Sequence, residues 1–240
     1  MDELPEEWTQ AIKASFLGRL PPRTWRPLFD RAHELEATPK TILYPETEQE
    51  RRDHLVLILD GLVRVYRTSR SGREVTLRYA RRGDVLGLPS VVAQVSPAAA
   101  QAVIATRVVA MSAQDLRARA QQDSKLAWAM AEEMAGSLFN IQDRLAHNVF
   151  APVRSRVARY LLDVATPAAG EHAGEHVVTA SHEDIADAIG TVREVVARTL
   201  GTFRDEGLTR RTETGIVLLD LDGLRDAGQA EEFQDYRRRP

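Results

Sequence analysis

Residues 181–208 read SHEDIADAIGTVREVVARTLGTFRDEGL, a string that divides into two helices around a tight turn. Ser181 opens the first helix, with Asp184 three residues later, where a capping box places Glu or Gln. Ile185, Ala186 and Ile189 give that helix an apolar face, and Gly190 ends it. In the second helix Val195, Val196, Leu200 and Phe203 lie on one side and Arg193, Glu194 and Arg198 on the other. Two helices crossing at a short turn need a small residue where they touch, a glycine in the turn and a β-branched plug beneath the second helix, and Ala186, Gly190 and Val196 supply these. The stretch therefore predicts a helix-turn-helix. Thr209 to Leu219, with Thr214-Gly215 at its tip, extends it with a two-stranded wing carrying Arg210 and Arg211.

Charge places a partner on the same segment. The 240-residue chain has 32 basic and 35 acidic residues, a net charge of −3 that carries no global signature of nucleic-acid binding. Residues 191–211, however, hold five arginines (193, 198, 204, 210 and 211) against three acids, whereas 151–190 and 212–240 each have three more acids than bases. The only positive stretch of this half is the second helix and the strand after it, where phosphate and base contacts would fall. Arginine forks onto guanine O6 and N7, and a carboxylate accepts from cytosine N4, so one helix face carries both kinds of major-groove reader. A plainer reading stands beside this one. Glu194 lies three residues after Thr191 and completes a second capping box, and Arg198 pairs with Glu194 at i, i+4 on a solvated surface.

Upstream, a helical opening (roughly residues 6 to 36) gives way between Thr41 and Met111 to short β-branched runs. These include Val56–Leu59, Leu62–Tyr66, Glu74–Tyr79 and Val103–Val109, bounded by Asp60-Gly61, Ser71-Gly72 and Arg82-Gly83-Asp84. Such runs predict a sandwich, jelly roll or barrel. From Asp123 to Phe150 the period becomes helical, with Met130, Met134, Leu138, Ile141, Leu145 and Asn148 spaced by threes and fours. A stripe this narrow on a long helix reads as a homodimer seam, with packing along the helix's own domain as the alternative. Pro152 ends that helix and starts the next, Val153 to Val164; Thr166 to Gly174 reads as a surface loop and the tail ends in Arg237-Arg238-Arg239. The expected domains are 1–122, a β-rich sensor with N-terminal helices; 123–150, a dimerisation helix; and 151–240, a winged helix-turn-helix.

These residues together resemble the Crp/Fnr family of bacterial transcription regulators. The family's Arg-Glu-x-x-x-Arg reader matches Arg193, Glu194 and Arg198, followed by Phe203-Arg-Asp-Glu-Gly-Leu208 at the wing entry. Upstream, Asp60-Gly61, Gly83-Asp84, the long helix and the hinge from Phe150 to Arg156 occur in the family's order, so that the likeness runs from about residue 40 to 225. The resemblance implies an α+β chain, with an N-terminal double-stranded β-roll of the cyclic-nucleotide-binding kind, a long dimerisation helix and a C-terminal winged helix-turn-helix. It further implies a homodimer reading a palindrome in double-stranded DNA through two helices about 34 Å apart. RNA polymerase would be a further partner, Ser181 and His182 would lie near phosphates, and the half-site would be of the TGTGA or TTGA type. One position departs from the pattern. Val192 stands where the family usually has Ser or Thr, so a capping or phosphate-contacting hydroxyl is missing or comes from Thr191.

The effector region departs further. Relatives that bind cyclic nucleotides resemble Gly-Glu-Leu followed by Arg-Ser, whereas this chain reads Gly87-Leu88-Pro89-Ser90-Val91-Val92 and then Ser96-Pro97-Ala98-Ala99-Ala100. Ile141 and Gln142 occupy the long-helix positions that contact the base in those relatives. Neither charge for the ribose and phosphate is present, and an uncompensated buried phosphate costs several kcal/mol, so a cyclic nucleotide in the usual pose is disfavoured. The chain has no cysteine, which removes disulfides and the iron–sulfur cluster of the Fnr branch. Haem remains a lesser alternative, since Ala127-Trp128 is similar to the CO-sensing branch but Pro89 stands where the haem histidine is expected. No cofactor is therefore predicted; the effector is an unidentified small molecule, apolar rather than charged, or there is none.

Other classes find less support. A ligand-sensing module whose winged domain docks protein is the rival reading. Enzyme chemistry lacks a Ser-His-Asp or Cys-His set and a phosphate-cradling loop. No metal site is expected either, because His172 and His176 fall in a loop where metal-binding i, i+4 geometry does not hold. Met1 to Gln10 has no basic or apolar signal-peptide region, and no stretch reaches the length of a membrane span, so a cytoplasmic protein without membrane partner is expected.

Overall fold

The computed structural model describes residues 4–46, 54–72, 74–95, 98–168, 174–213 and 215–229. Ser96, Pro97, His172, Thr214 and the arginines of the tail lie outside the described residues. The chain divides into two compact units, residues 1–142 and 143–240.

The first unit opens with helices α1 (Glu6–Ala14) and α2 (Pro22–Trp25) and continues with strands β1 (His33–Ala37), β2 (Ile42–Tyr44), β3 (His54–Asp60), β4 (Val63–Thr68), β5 (Glu74–Ala80) and β6 (Val85–Leu86). After α3 (Leu88–Ala93) come β7 (Ala99–Ala102), β8 (Thr106–Ser112), α4 (Ala113–Ala120) and the long helix α5 (Ser124–Phe150). Two antiparallel four-stranded sheets, ordered β1-β8-β3-β6 and β2-β7-β4-β5, form the β-roll. Strand β3 explains why the run Leu55–Leu59 is apolar without interruption: Val56 and Ile58 pack toward the second sheet, with Val63, Val108 and Ala110. Leu55, Leu57 and Leu59 pack on the opposite face, with Trp8, Ile12, Phe29, Leu116 and Leu126 of the helices. A strand buried on both sides loses the alternation that marks a half-exposed one. Gly61 makes the β3–β4 turn with φ +106, and a Cβ there would lie 2.4 Å from Thr106 Oγ1, so no other residue fits.

Three boundaries differ from the sequence reading. The helical opening stops at Phe29, and His33–Ala37 is an edge strand paired with β8. Four of its five residues are exposed, Glu34 and Glu36 among them, as suits an edge, and with Leu35 and Ala37 as its apolar residues it is a weak strand signal. Ala99 and Ala100, read as part of the effector cassette, begin a strand, Ala99–Ala102, that lies between β2 and β4. Within the expected surface loop, Thr166-Pro167 forms a short edge strand, the place in a sheet that tolerates proline.

The second unit holds the end of α5, then α6 (Val153–Val164), β9 (Thr166–Pro167), β10 (His176–Val178), α7 (His182–Ile189), α8 (Arg193–Asp205), β11 (Thr209–Arg211), β12 (Ile216–Leu218) and α9 (Leu221–Gly228). A sheet ordered β11-β12-β10-β9 supports the helices, with Arg210 opposite Val217 in the wing. The last two turns of α5 are tied into this unit. Arg144 pairs with Asp163, buried His147 approaches Ser155, and Arg156 reaches the main-chain oxygen of Asn148. These ties put the division between units at Gln142 and Asp143, ahead of the Pro152 junction expected from sequence.

Candidate nucleic-acid interface

The interface is built on α7 and α8. At the start of α7 the Asp184 N–H donates to Ser181 Oγ at 3.1 Å, and the Asp184 carboxylate accepts from the Ser181 N–H at 2.9 Å and from its hydroxyl at 2.6 Å. The capping box thus forms with Asp at its third position, and the Ser181 hydroxyl is engaged in it as both acceptor and donor. Helix α7 ends at Gly190 in the left-handed region, φ 68 and ψ 52, which a glycine adopts without strain. The freed carbonyl of Ile189 accepts from Arg156 Nη1, a cation at a helix C-terminus where the macrodipole favours it. Arg156 Nε is buried and has no partner among the described residues.

Helix α8 buries Val196, Leu200 and Phe203. Arg154 lies over the Phe203 ring at 4.7 Å and pairs with Glu206, which fastens α6 to α8. The opposite face carries Arg193, Glu194, Ala197 and Arg198, all exposed. Among the described residues neither Glu194 nor Arg198 makes an ion pair or hydrogen bond through its side chain, so the surface pair that sequence allowed is not formed. Nor does Thr191 cap the helix: the N-cap is Val192, extended at φ −114 and ψ 152, with no side-chain hydrogen bond to the first turn.

His182, at the start of α7, is partly buried, and that burial, followed by the positive fields of Arg211 and Arg193, lowers its pKa below the ordinary histidine value. Three groups predicted separately, from α7, α8 and the wing, therefore share one electropositive neighbourhood. Arg211 is exposed on β11. Arg210 is exposed as well, but it holds the carboxylate of Glu175 at 2.9 and 3.2 Å, a partner 35 positions away that sequence reasoning did not find.

The effector candidates are less coherent. Gly87 turns the chain at φ +96, and a Cβ there would lie 3.4 Å from the Tyr44 hydroxyl and from Leu55. Leu88 and Ser90 are buried, while Pro89 is exposed; α3 packs against α4. On α5, Ile141 is half-buried and Gln142 exposed. Among the described residues there is no cluster of three or more metal-binding side chains and no helix long and apolar enough to cross a membrane.

The expected seam separates into two faces of α5. Met130, 3% exposed, belongs to the core of the first unit, and Met134 packs against that core, so neither is free to meet a partner. Leu138 and Leu145 are 53% and 64% exposed. With them Trp128, Ala131, Ala135, Gln142 and Val149 form an exposed row whose spacing alternates between three and four, the a/d pattern of a helix pair. The apolar stripe of the sequence thus runs from the self-packed face at its start to the exposed face at its end.

Comparison with known proteins agrees with this architecture. Residues 36–123 match the cyclic nucleotide-binding domain family and residues 155–227 the Crp-like helix-turn-helix domain family. The chain is 35% identical over 195 residues to the transcriptional regulator LdrP of Thermus thermophilus, covering 80% of this chain and 96% of LdrP. It is 30% identical over 190 residues to the transcriptional regulator SdrP of the same organism, covering 79% and 90%. Among solved structures, a transcriptional regulator of the CRP/FNR family from Thermus thermophilus, TTHA1359, superposes with a TM-score of 0.67 at 27% identity, covering 82% of this chain and 99% of that one.

Proposed function

The chain belongs to the Crp/Fnr family of transcriptional regulators and carries that family's helix-turn-helix DNA-binding domain, and from this premise we propose that it works as a homodimer on a palindromic site, with Arg193, Glu194 and Arg198 as its base readers. The observation that carries the assignment is the state of those side chains: exposed on one face of α8, opposite the face that buries Val196, Leu200 and Phe203, with no ion pair between Glu194 and Arg198. An arginine that holds no carboxylate keeps its fork for guanine, and a free carboxylate accepts from cytosine. Arg211 and His182 then serve the phosphates beside the readers, and Arg210 joins them by exchanging Glu175 for a phosphate oxygen. Ser181 and Thr191 contribute less, the first because its hydroxyl is taken by its own cap and the second because it lies before the N-cap.

The partner copy lies along the exposed row of α5, with Leu138, Leu145 and Val149 as apolar contacts and Trp128 at its start. Residues 1–122 act as the sensor, 123–150 as the pairing helix and 151–240 as the reader. The sensor cassette, Gly87 to Ala93 with Ala98 to Ala102, has no acidic or basic residue. This supports an apolar effector, or DNA binding without one, over a cyclic nucleotide held in the usual way. RNA polymerase is the remaining partner of the proposal.

Selection of binding sites from random duplex DNA, followed by footprinting and binding at several salt concentrations, tests the assignment. A two-fold symmetric footprint with half-sites one helical turn apart and a steep salt slope is expected. Equal affinity for all duplexes would remove the base-reading role.

A further inference from the structure

Val192 stands at the start of α8 without a role among the proposed DNA contacts. It is the N-cap of α8, a position at which Ser, Thr, Asp and Asn accept from the first free N–H groups and Val is among the poorest choices. It is also 57% exposed, whereas Ile189 and Val196 of the helix pair are buried and Val195 is half-buried. The side chain therefore contributes neither a cap nor core packing. It directly precedes the exposed Arg193, whose charge, with that of Arg211, acts on His182.

We infer that Val192 is a specificity-determining residue whose methyl groups meet the 5-methyl group of a thymine beside the base pair contacted by Arg193. The inference rests on the DNA-reading assignment and adds a second kind of recognition to it. An isopropyl group can neither donate to a phosphate nor accept from a base; its favourable contribution is to shed water against another apolar group. On the major-groove edges of the four bases, the thymine methyl is the apolar group on offer. An apolar side chain held at the front of a recognition helix, next to an arginine, fits a methyl group and fits poorly against the bare C5–H edge of cytosine. Burying one such methyl is worth about a fourfold change in affinity.

The experiment uses the full-length protein and the DNA site it selects. Each thymine of that site is replaced in turn by deoxyuridine, which removes the methyl and leaves base pairing intact, and binding is measured for the unaltered protein and for Val192→Ser and Val192→Thr. The expected result is one thymine per half-site at which deoxyuridine weakens the unaltered protein about fourfold, leaves Val192→Ser unaffected and weakens Val192→Thr by an intermediate amount. Since Val192 is exposed, both variants should fold, as circular dichroism and thermal unfolding will show. A selected site without any methyl-sensitive thymine overturns the inference and leaves the DNA-reading assignment standing. So does a methyl effect that persists in Val192→Ser, or a Val192→Ser variant with unchanged selectivity, in which case the valine serves another partner. Failure to select any site sinks both.

Discussion

Arg156 of α6 donates to the main-chain carbonyl of Ile189, the last residue of α7, and the same guanidinium nitrogen lies 3.5 Å from the carbonyl of Asn148 near the end of α5. One side chain thus joins the end of the long helix, α6 and the turn of the helix-turn-helix. Hydrogen bonds from a charged donor contribute about 1.5–3 kcal/mol, so Arg156→Met should lower the unfolding free energy by roughly that amount and weaken DNA binding together with it. Arg156→Lys should lie between, because a single ammonium keeps the charge at the helix end but loses the planar fork. Urea titration checks the first effect; a stability unchanged by Arg156→Met would show that the contact is idle.

In the proposed homodimer the two faces of α5 separate folding from assembly. Leu138→Glu and Leu145→Glu alter exposed positions and should give folded monomers in analytical ultracentrifugation. Met130→Ala alters a buried one and should cost about 2–5 kcal/mol of stability, while dimers persist below its lowered midpoint. Monomers from Met130→Ala with full stability would reverse the assignment of the faces.

Base reading and phosphate binding have different signatures. Arg198→Ala should weaken binding to the selected site by ~1–3 kcal/mol and relax preference at one base pair. Arg211→Ala should weaken all sequences alike and reduce the salt slope by about one. Competition binding against single-base variants distinguishes them, and an Arg198→Ala variant whose loss is uniform would move that arginine to the backbone.

His147 links stability to pH. It is 3% exposed at the end of α5, and burial first, then the charge of Arg159, lowers its pKa below the unfolded value of 6.5. Above that pH both states hold it neutral and its full contribution to stability is present. As pH falls below 6.5 the unfolded chain takes up the proton first, so stability is lost until the folded pKa is passed. Urea midpoints at several pH values between neutral and acid should fall for the natural chain, and the His147→Gln variant should show a shallower decline over the same interval. Parallel curves would exclude the histidine as the source.

Val192→Ser should raise stability while it relaxes selectivity. A serine at an N-cap improves on an aliphatic residue by about 0.5–2 kcal/mol, and the exposed valine gives up no core packing when removed. Thermal unfolding of the free protein measures the gain. A variant less stable than the natural chain would mean that the valine packs against something in the free dimer.

What could be read from the sequence depended on whether a residue's role is set by its neighbours along the chain. The capping box of Ser181 and Asp184, the turn at Gly190 and the burial of Val196, Leu200 and Phe203 are local and followed from spacing. The strand at His33–Ala37 did not, because its alternation is confined to Leu35 and Ala37, and its edge position leaves Leu35 exposed. The stripe of α5 showed that the helix had something to cover, but not that Met130 covers its own unit while Leu145 is left exposed. Alanines and a glutamine in the exposed row, at 131, 135 and 142, also weakened its signal. At the interface, arginine identities were legible and their engagements were not. Nothing near Arg210 announces Glu175, and nothing near Arg156 announces the carbonyl of Ile189.

The pairing of Arg210 with Glu175 bears on how such a protein finds its site among the bulk of chromosomal DNA. A wing cation already matched to a carboxylate adds little long-range pull toward an arbitrary duplex, since its charge is largely cancelled at a distance. In the proposed complex it engages only where close docking makes a phosphate the better acceptor. Such an arrangement weakens idle sequestration on unrelated sequences more than it weakens the final complex, and the ratio of those two affinities decides occupancy when non-specific sites outnumber the target by many orders of magnitude.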